Sequence, residues 1–366
     1  MSQLAHLTPE DTDEFTRRLP KVEIHCHLAG TLRPSTLIEL AGKHGITLPD
    51  NTPEGVYDPC HQPHAVASLA LLDAVISCIK DREDFARVGY EALVDSSRAS
   101  NLKYMELFFN PSQHATFWAT SYADMVDGLI DGMRKAERET GVKGRLIASI
   151  NREQSPAVAT QLVRDVIDNP RDEVVGIGLD ANEAMGPPEA FQEAYELAGR
   201  HGLRRTAHAG EWAFPRNVAT SIETLGCERI DHGYFVAQDP DLLARAKESG
   251  LHFACCWSTS LYHGWESGPK NPIVEMWRAG LSISLSSDDP QLDGSSVSED
   301  YVLFRHASGA DAEQMAKLAI DPIDHLWIDD SERRELRSQF ESEINSLRTE
   351  FATRVGVQSD KERIGG

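Results

Sequence analysis

Two histidines near the N-terminus, His25 and His27, stand two positions apart, behind a short apolar run and ahead of a glycine. Side chains alternate between the two faces of a β-strand, so both imidazoles would point the same way. Two imidazoles on one face at the end of a strand are spaced to bind a single metal ion. On its own the pair is weak evidence, because ordinary polar residues of a strand also show this spacing.

Further candidate ligands and acid–base groups follow later apolar runs. His208 and Glu211 lie in AHAGE, His232 lies in RIDHG, and Asp288 and Asp289 lie in SSDDP. If each run is a strand of one barrel, all these strand ends meet at one rim, where barrel enzymes have their active sites. The sequence therefore predicts one site assembled from distant segments.

Four of these residues form the predicted metal site. Imidazole nitrogen and carboxylate oxygen suit Zn²⁺ with a bound water, while the same ligands also accept Fe²⁺ or Mn²⁺. The predicted ligands are His25, His27, His208 and Asp288.

The segments that would position these residues alternate between short apolar runs and helical patterns. The eight β-rich runs span residues 22–28, 102–109, 144–150, 174–180, 203–210, 229–233, 251–257 and 281–289. Such alternation indicates a parallel sheet buried on both faces. Eight units predict the α/β class and a closed (β/α)₈ TIM barrel.

The domain organisation follows from the same pattern. The 366 residues contain no internal repeat and no Ser/Gly linker that would separate domains, so we expect a single domain over residues 1–366. The long insertion at about 30–100 would form extra helices over the C-terminal mouth of the barrel. The tail at about 298–357 reads as helical.

The net charge and the cysteine spacing limit which classes of partner and which cellular compartment are expected. The formal net charge of −22 disfavours nucleic acid and anionic membranes, because both attract basic surfaces. The N-terminus lacks signal-peptide features, and no apolar run approaches the roughly 18 residues of a membrane span. No CxxC spacing occurs among the cysteines, so free thiols in a reducing cytoplasm are expected for Cys26, Cys60, Cys78, Cys227, Cys255 and Cys256.

The chain resembles the adenosine/adenine deaminases of the metal-dependent amidohydrolase superfamily. The motifs that carry the resemblance occur in the family's order over about residues 18–350, as HCHLAGTL, ELFFNPSQH, GIGLD, HAGE, RIDHG, CCWSTSL and SLSSDDP. The resemblance implies zinc-dependent hydrolytic deamination of a 6-aminopurine, with release of ammonia and the 6-oxopurine. Superfamily members with two metals usually carry a bridging lysine at the end of strand 4, but VVGIGLD has none, so one ion per chain is expected.

The resemblance also assigns roles to individual residues. His25, His27, His208 and Asp288 match the metal ligands, and Asp288 is thereby also a catalytic residue. Glu211 matches the residue that protonates purine N1, and His232 matches the histidine that orients and deprotonates the metal-bound water. Asp289 matches the aspartate that hydrogen-bonds purine N7, and Ala181 matches the position whose backbone N–H meets N3.

These roles are chemically reasonable without the family. Hydrolysis of an aromatic amine needs hydroxide at neutral pH, and a bound metal lowers the pKa of water to about 7. A carboxylic acid three residues after a ligating histidine is well placed to protonate the ring. Glu211 could instead orient an imidazole, and His232 could be a structural histidine at a strand end.

Three positions are expected to shape substrate binding, and two of them, Ala29 and Trp212, depart from the family pattern. Ala29 stands where adenosine deaminases usually have aspartate and adenine deaminases have glutamate. Asp231 is the variant typical of adenine deaminases, and Trp212 adds bulk where small or acidic residues are common. The expected partner is a small purine, which is adenine, an adenosine-type nucleoside or a modified form of either. The sequence leaves this choice and the oligomeric state open.

Two other functions remain open at this point. One is a different mononuclear amidohydrolase that acts on another cyclic amidine or amide. The other is a non-catalytic binding relative, against which the full set of ligands and acid–base residues argues.

Overall fold

Eight parallel strands form one sheet in chain order in the computed structural model, which describes residues 4, 6–58 and 65–364. The strands are β1 (Lys21–His27), β2 (Leu102–Phe109), β3 (Lys143–Asn151), β4 (Val174–Asp180), β5 (Arg204–Ala209), β6 (Arg229–His232), β7 (His252–Cys256) and β8 (Ser282–Ser286). A parallel bridge between Cys26 and Asp288 joins the two ends of the sheet. The predicted (β/α)₈ barrel is confirmed.

Helices cover the outside of the barrel and one of its ends. In the described residues they are α1 (Pro9–Arg18), α2 (Pro34–His44), α3 (Ala65–Cys78), α4 (Arg82–Ser100), α5 (Pro111–Phe117), α6 (Tyr122–Thr140), α7 (Pro156–Asp168), α8 (Gln192–Arg200), α9 (Pro215–Glu223), α10 (Pro240–Ser249), α11 (Trp257–Tyr262), α12 (Pro272–Ala279), α13 (Pro290–Asp293), α14 (Val297–Ser308), α15 (Ala312–Ile320) and α16 (Asp330–Ile364). Many of them begin with proline, whose fixed φ suits the first turn and whose missing N–H costs nothing there.

The strands are buried on both faces, as the continuous apolar runs predict. Each residue of β7 is buried, and so is nearly every residue of β2. This burial explains why runs such as those of β2 and β7 do not alternate strictly between apolar and polar residues. Side chains inside the barrel and between barrel and helices therefore form a rigid frame for the strand ends.

The described residues bear on two further expectations, free thiols and the absence of a membrane-spanning helix. Cys26, Cys78, Cys227, Cys255 and Cys256 are buried free thiols, while Cys60 lies outside the described residues. No helix in the described part of the chain combines the length and the apolar character that crossing a bilayer requires.

Candidate active site

The carboxyl ends of β1, β5 and β8 bring the four expected ligands together. Nε2 of His208 lies 3.1 Å from Nε2 of His25 and 3.0 Å from Nε2 of His27. Oδ1 of Asp288 lies 3.2 Å and 3.3 Å from the same two β1 nitrogens. Three imidazole nitrogens and one carboxylate oxygen therefore face a common centre.

This donor set fits a divalent metal ion. Four ligands at about 2.0–2.1 Å from a tetrahedral zinc lie about 3.3–3.4 Å from one another, close to the spacing seen between these atoms. Neutral imidazoles whose nitrogens face each other cannot satisfy all their lone pairs by mutual hydrogen bonds. A cation at the common centre would satisfy them.

A hydrogen bond behind His25 and a close carboxylate behind His208 orient these two ligands. Nδ1 of His25 donates to the carbonyl oxygen of Ala254 at 3.0 Å, which leaves Nε2 with its lone pair. Nδ1 of His208 lies 3.4 Å from Oδ2 of Asp231. Ligating histidines commonly make such contacts, which fix the tautomer and the ring plane.

Asp231 occupies a different place from the expected substrate contact. Its side chain is fully buried, does not line the cavity, and accepts a hydrogen bond from Thr206 Oγ1 at 2.8 Å. The register of β5 and β6 pairs Asp231 directly with His208, which sets the carboxylate behind the imidazole. The strand register, which the motif alone does not reveal, decides this position.

Asp288 is prepared for metal binding by its neighbours. Thr259 Oγ1 donates to Oδ2 at 2.8 Å, which leaves Oδ1 for the imidazole side. Burial acts to raise the pKa of Asp288, but the His25 and His232 imidazoles outweigh burial and hold the pKa well below its ordinary value. Asp288 is therefore a carboxylate at neutral pH.

The tautomer of His232 can be read from its hydrogen bonds. The hydroxyl of Tyr234 donates its single proton to the carbonyl oxygen of Cys256 at 2.8 Å, so it accepts from Nδ1 of His232 at 3.0 Å. Neutral His232 then carries its lone pair on Nε2, which is buried and has no hydrogen-bond partner among the described residues. Burial lowers the pKa of His232 to about 4. His232 thus presents an unprotonated nitrogen to the site.

Glu211 lies across from His232. Its Oε2 is 3.6 Å from His232 Nε2, and its Oε1 accepts a hydrogen bond from Nε2 of His263 at 2.8 Å. Burial acts to raise the pKa of Glu211, but the His232 and His263 imidazoles outweigh it and lower the pKa. A base and a carboxyl group therefore face each other beside the ligands.

The loop that carries Glu211 is held by one buried carboxylate. Glu183 accepts hydrogen bonds from the backbone N–H groups of four consecutive residues, at 2.7–3.2 Å; the four are Gly210, Glu211, Trp212 and Ala213. Asn217 Nδ2 donates to the same carboxylate at 2.9 Å. These bonds fix the backbone from which the Glu211 side chain projects.

Backbone conformation marks the same rim. Among the described residues, the non-glycine residues with positive φ are Asn101, Ala181, His232 and Asp288. Ala181, His232 and Asp288 line one cavity at the carboxyl ends of the strands. Such conformations cost free energy and cluster at functional sites.

A cavity of about 370 Å³ opens above the four ligands. Its walls include Ala29, Ala181, Trp212 and Asp289, and α3 adds Leu69, Leu72, Asp73 and Ile76. Burial raises the pKa of Asp289 to about 7, so this carboxyl group carries a proton for part of the time at neutral pH and can donate a hydrogen bond. A Cβ on Gly30 would overlap the Asp289 side chain, which accounts for glycine there.

Comparison with known proteins places the chain in a family. Residues 20–343 match the sequence profile of the adenosine deaminase family, which covers most of the chain. The chain belongs to the adenosine deaminase family. This confirms the resemblance seen in the motifs, and with it the expected enzyme class, a hydrolase of carbon–nitrogen bonds that deaminates aminopurines.

Individual members of the adenosine deaminase family are similar over nearly their whole length. An adenine deaminase of Streptomyces coelicolor is 30% identical over 331 residues, covering 90% of this chain and 96% of that protein. An adenosine deaminase of Bos taurus is 30% identical over 339 residues, covering 87% and 92%. A zinc-bound amidohydrolase structure from Burkhoderia ambifaria is 32% identical, with a TM-score of 0.87, and covers 96% of this chain and 98% of its own.

Two residues of the site were not singled out in the sequence. Glu183 ends GLDANE and His263 lies in CCWSTSLYHGW, both within or beside motifs of the adenosine deaminase family. Neither residue has a spacing that indicates chemistry. Both contact the loop that follows β5, which lies far from each of them in sequence. A histidine just after a strand-end motif is the one signal that could have drawn attention to His263.

Proposed function

We propose that this adenosine deaminase family member hydrolyses the 6-amino group of a purine, with one Zn²⁺ held by His25, His27, His208 and Asp288. The observation that carries the proposal is the pair formed by the unprotonated Nε2 of His232 and the Glu211 carboxyl group, 3.6 Å apart beside the four donors. A divalent ion held by these residues would supply Lewis acidity, which would lower the pKa of water to about 7. Zinc is also the metal of the similar Burkhoderia ambifaria structure.

His232 is the proposed general base. Its Nε2 lone pair faces the cavity, and Tyr234 holds the ring by Nδ1. When water oxygen bonds to C6 of the purine, Nε2 takes the proton. The Glu211 and Asp288 carboxylates, 3.6 Å and 4.0 Å from Nε2, then stabilise the imidazolium.

Glu211 is the proposed general acid. As C6 gains the oxygen, electron density moves onto ring N1, and Oε2 of Glu211 donates a proton there. Because the pKa of Glu211 is lowered in the free protein, the carboxyl group is proposed to take up this proton only when the substrate is bound. Cleavage of the bond from C6 to the exocyclic nitrogen then completes the reaction. The proton held on His232 leaves with ammonia, the remaining proton of the attacking water passes from the C6 oxygen back to Glu211, and the ring is released as the 6-oxopurine.

Three contacts are proposed to orient the purine. A protonated Asp289 would donate to N7, and the backbone N–H of Ala181, in its left-handed conformation, would donate to N3. Trp212 would form one wall of the cavity. Asp231, because of its position behind His208, is proposed to orient that ligand instead of contacting substrate.

The substituent on the purine is proposed to be uncharged. The described residues that line the cavity include no lysine or arginine, whereas Asp73 and Glu153 contribute carboxyl groups. Phosphate groups are usually bound by arginine or lysine, so a free base or a nucleoside suits this cavity better than a nucleotide. Ala29 leaves room on the wall and offers no side-chain hydrogen bond.

Ammonia release tests the proposal directly. Zinc-loaded protein would be assayed with adenine, adenosine, 2′-deoxyadenosine, N6-substituted adenines, and AMP as the charged partner of adenosine. For the N6-substituted adenines, which release a substituted amine instead of ammonia, formation of the 6-oxopurine would be followed. We expect turnover of an uncharged member and loss of that turnover in Glu211→Gln, which keeps the shape of the side chain. Silence across the panel with metal bound would contradict the proposal and would favour a different cyclic amidine or amide.

A further inference from the structure

We propose that His263 is a positioning residue for the general acid: it binds one oxygen of Glu211 and so aims the other at the ring nitrogen of the substrate. This inference rests on the proposed function, because it assigns a part in the same reaction. His263 does not itself line the cavity; it contacts Glu211, which does, and its ion pair is with Glu211 and with none of the four proposed ligands.

The backbone under His263 is firmly anchored. His263 directly follows α11, the short helix that begins at the carboxyl end of β7, and its N–H donates to the carbonyl oxygen of Thr259 at 3.0 Å. Trp265 N–H donates to Ser260 at 3.1 Å, which closes the following turn. The side chain is 13% exposed, so the imidazole is largely enclosed. The position of the His263 imidazole is therefore fixed by its backbone hydrogen bonds and by its burial.

The two oxygens of Glu211 have different surroundings. Nε2 of His263 donates to Oε1 at 2.8 Å, whereas Oε2 lies 3.6 Å from the proposed base, His232. One oxygen is thus held by the protein and the other is turned towards the reacting groups. Such an arrangement assigns the proton transfer to Oε2.

A glutamate needs this support because its side chain is flexible. Glu183 fixes only the backbone at Glu211, and the carboxyl group can still rotate about three bonds. A misplacement of about 1 Å can lower a catalytic rate by about 100-fold. The hydrogen bond from His263 removes that rotational freedom of the Glu211 carboxyl group.

A purely structural role is the main alternative, and the chain offers a matched control. His44 also pairs through Nε2 with a carboxylate, Oδ2 of Asp84, at 2.6 Å, and both side chains are largely buried. That pair joins α2 to the start of α4, and its carboxylate does not line the cavity, whereas Glu211, the partner of His263, does. Loss of the His44 bond should affect folding stability alone.

Three single variants separate these readings in the zinc-loaded enzyme. His263→Phe keeps a ring but removes the donor, and we expect kcat to fall by about 100-fold with little change in KM or zinc content. His263→Gln keeps an N–H group at a similar reach, and we expect it to recover most of the lost rate. His44→Phe should keep the wild-type kcat. Unchanged kcat in His263→Phe, or a loss that appears in KM or zinc content alone, would overturn the proposal.

A double-mutant cycle tests whether His263 acts through Glu211. If it does, adding His263→Phe to Glu211→Gln should change kcat by no more than about twofold, since independent sites would instead add their effects. A full additional loss in the double variant would overturn the proposal while leaving the deaminase function intact.

A crystal structure of His263→Phe, or of His263→Asn if the phenylalanine variant does not fold, gives a readout that does not depend on turnover. We expect the Glu211 carboxyl group to leave its wild-type orientation while the zinc ligands stay in place. An unmoved carboxyl group would overturn the positioning role. A wild-type enzyme silent towards every aminopurine would instead refute the proposed function.

Discussion

Buried histidines occur at both ends of this barrel, and their surroundings differ. At the end where the strands begin, His252 of β7 contacts Ser282 Oγ through Nδ1 at 2.8 Å and Ser284 Oγ through Nε2 at 3.1 Å. The His325 ring stacks on it, with centroids 4.2 Å apart, and contacts the same Ser282 hydroxyl at 2.9 Å. At the carboxyl ends, the Nε2 atoms of His25, His27 and His208 face one another instead.

The comparison shows that burial does not distinguish a metal ligand from a structural histidine. His252 and His25 are both essentially inaccessible to solvent. What differs is the partner of each ring nitrogen. Both nitrogens of His252 meet hydroxyl groups that can donate or accept, whereas His25 has a carbonyl on Nδ1 and other ligand-type atoms around Nε2. A shared centre of lone pairs indicates a cation.

The largest expected effect comes from exchanging one histidine of each group for glutamine. His208→Gln should lose bound metal and ammonia release together, because an imidazole ligand disappears. His252→Gln should keep both and lower the free energy of unfolding by about 1–3 kcal/mol, because buried serine hydroxyls lose a partner. Metal analysis, ammonia assays and chemical denaturation measure these three quantities. Full metal content in His208→Gln would contradict the assignment of His208 as a metal ligand.

Glu211→Gln should leave the metal centre whole and remove the acid. General acid–base groups contribute about 10²–10⁴-fold to rate, and we expect a loss of kcat of this order. Metal content should match that of the wild type, since Glu211 is not among the four donors. A fall in metal content parallel to activity would mean that Glu211 belongs to the ligand group.

Asp231→Asn should lower the metal affinity, because Asp231 contacts the side of the His208 ring that faces away from the metal. Substitution of a residue that orients a ligand commonly costs about 10–100-fold in metal affinity or activity. Competition with a zinc chelator would measure the affinity. Asp300→Asn is the matched control, because Asp300 is equally buried but accepts its hydrogen bonds from Ser258 and Ser295. Equal zinc affinity in Asp231→Asn and wild type would contradict the assigned position.

The smallest expected effect concerns Ala29. Ala29→Asp places a carboxylate at the cavity wall, where it can accept a hydrogen bond from a ribose hydroxyl. A hydrogen bond to a charged group contributes about 1.5–3 kcal/mol, so the ratio of kcat/KM for adenosine to that for adenine should rise by about tenfold or more. A ratio equal to that of the wild type would refute this role for position 29.

The barrel and its strand ends were predictable because strands such as β2 and β4 are mostly apolar runs that recur between helical patterns, with polar residues at or just after strand ends. His25, His27, His208 and Asp288 could be grouped by that logic before any distance was known. The chemistry of the residue types then indicated a metal site.

Residues whose partners come from tertiary contacts could not be found in this way. His263 and Glu183 act on the Glu211 loop from segments distant in sequence, and Asp231 lies behind His208 through strand register. The tautomer of His232 likewise depends on Tyr234 and Cys256 together. Sequence spacing does not encode such contacts.

Reversible metal removal tests the central claim most directly. The protein would be stripped with a chelator, and ammonia release from its best aminopurine substrate would be followed while zinc is returned in steps. We predict activity that is lost in the stripped protein and rises linearly until one zinc per chain is bound. Full ammonia release from metal-free protein would contradict the assignment of the histidine and aspartate cluster as the catalytic metal centre.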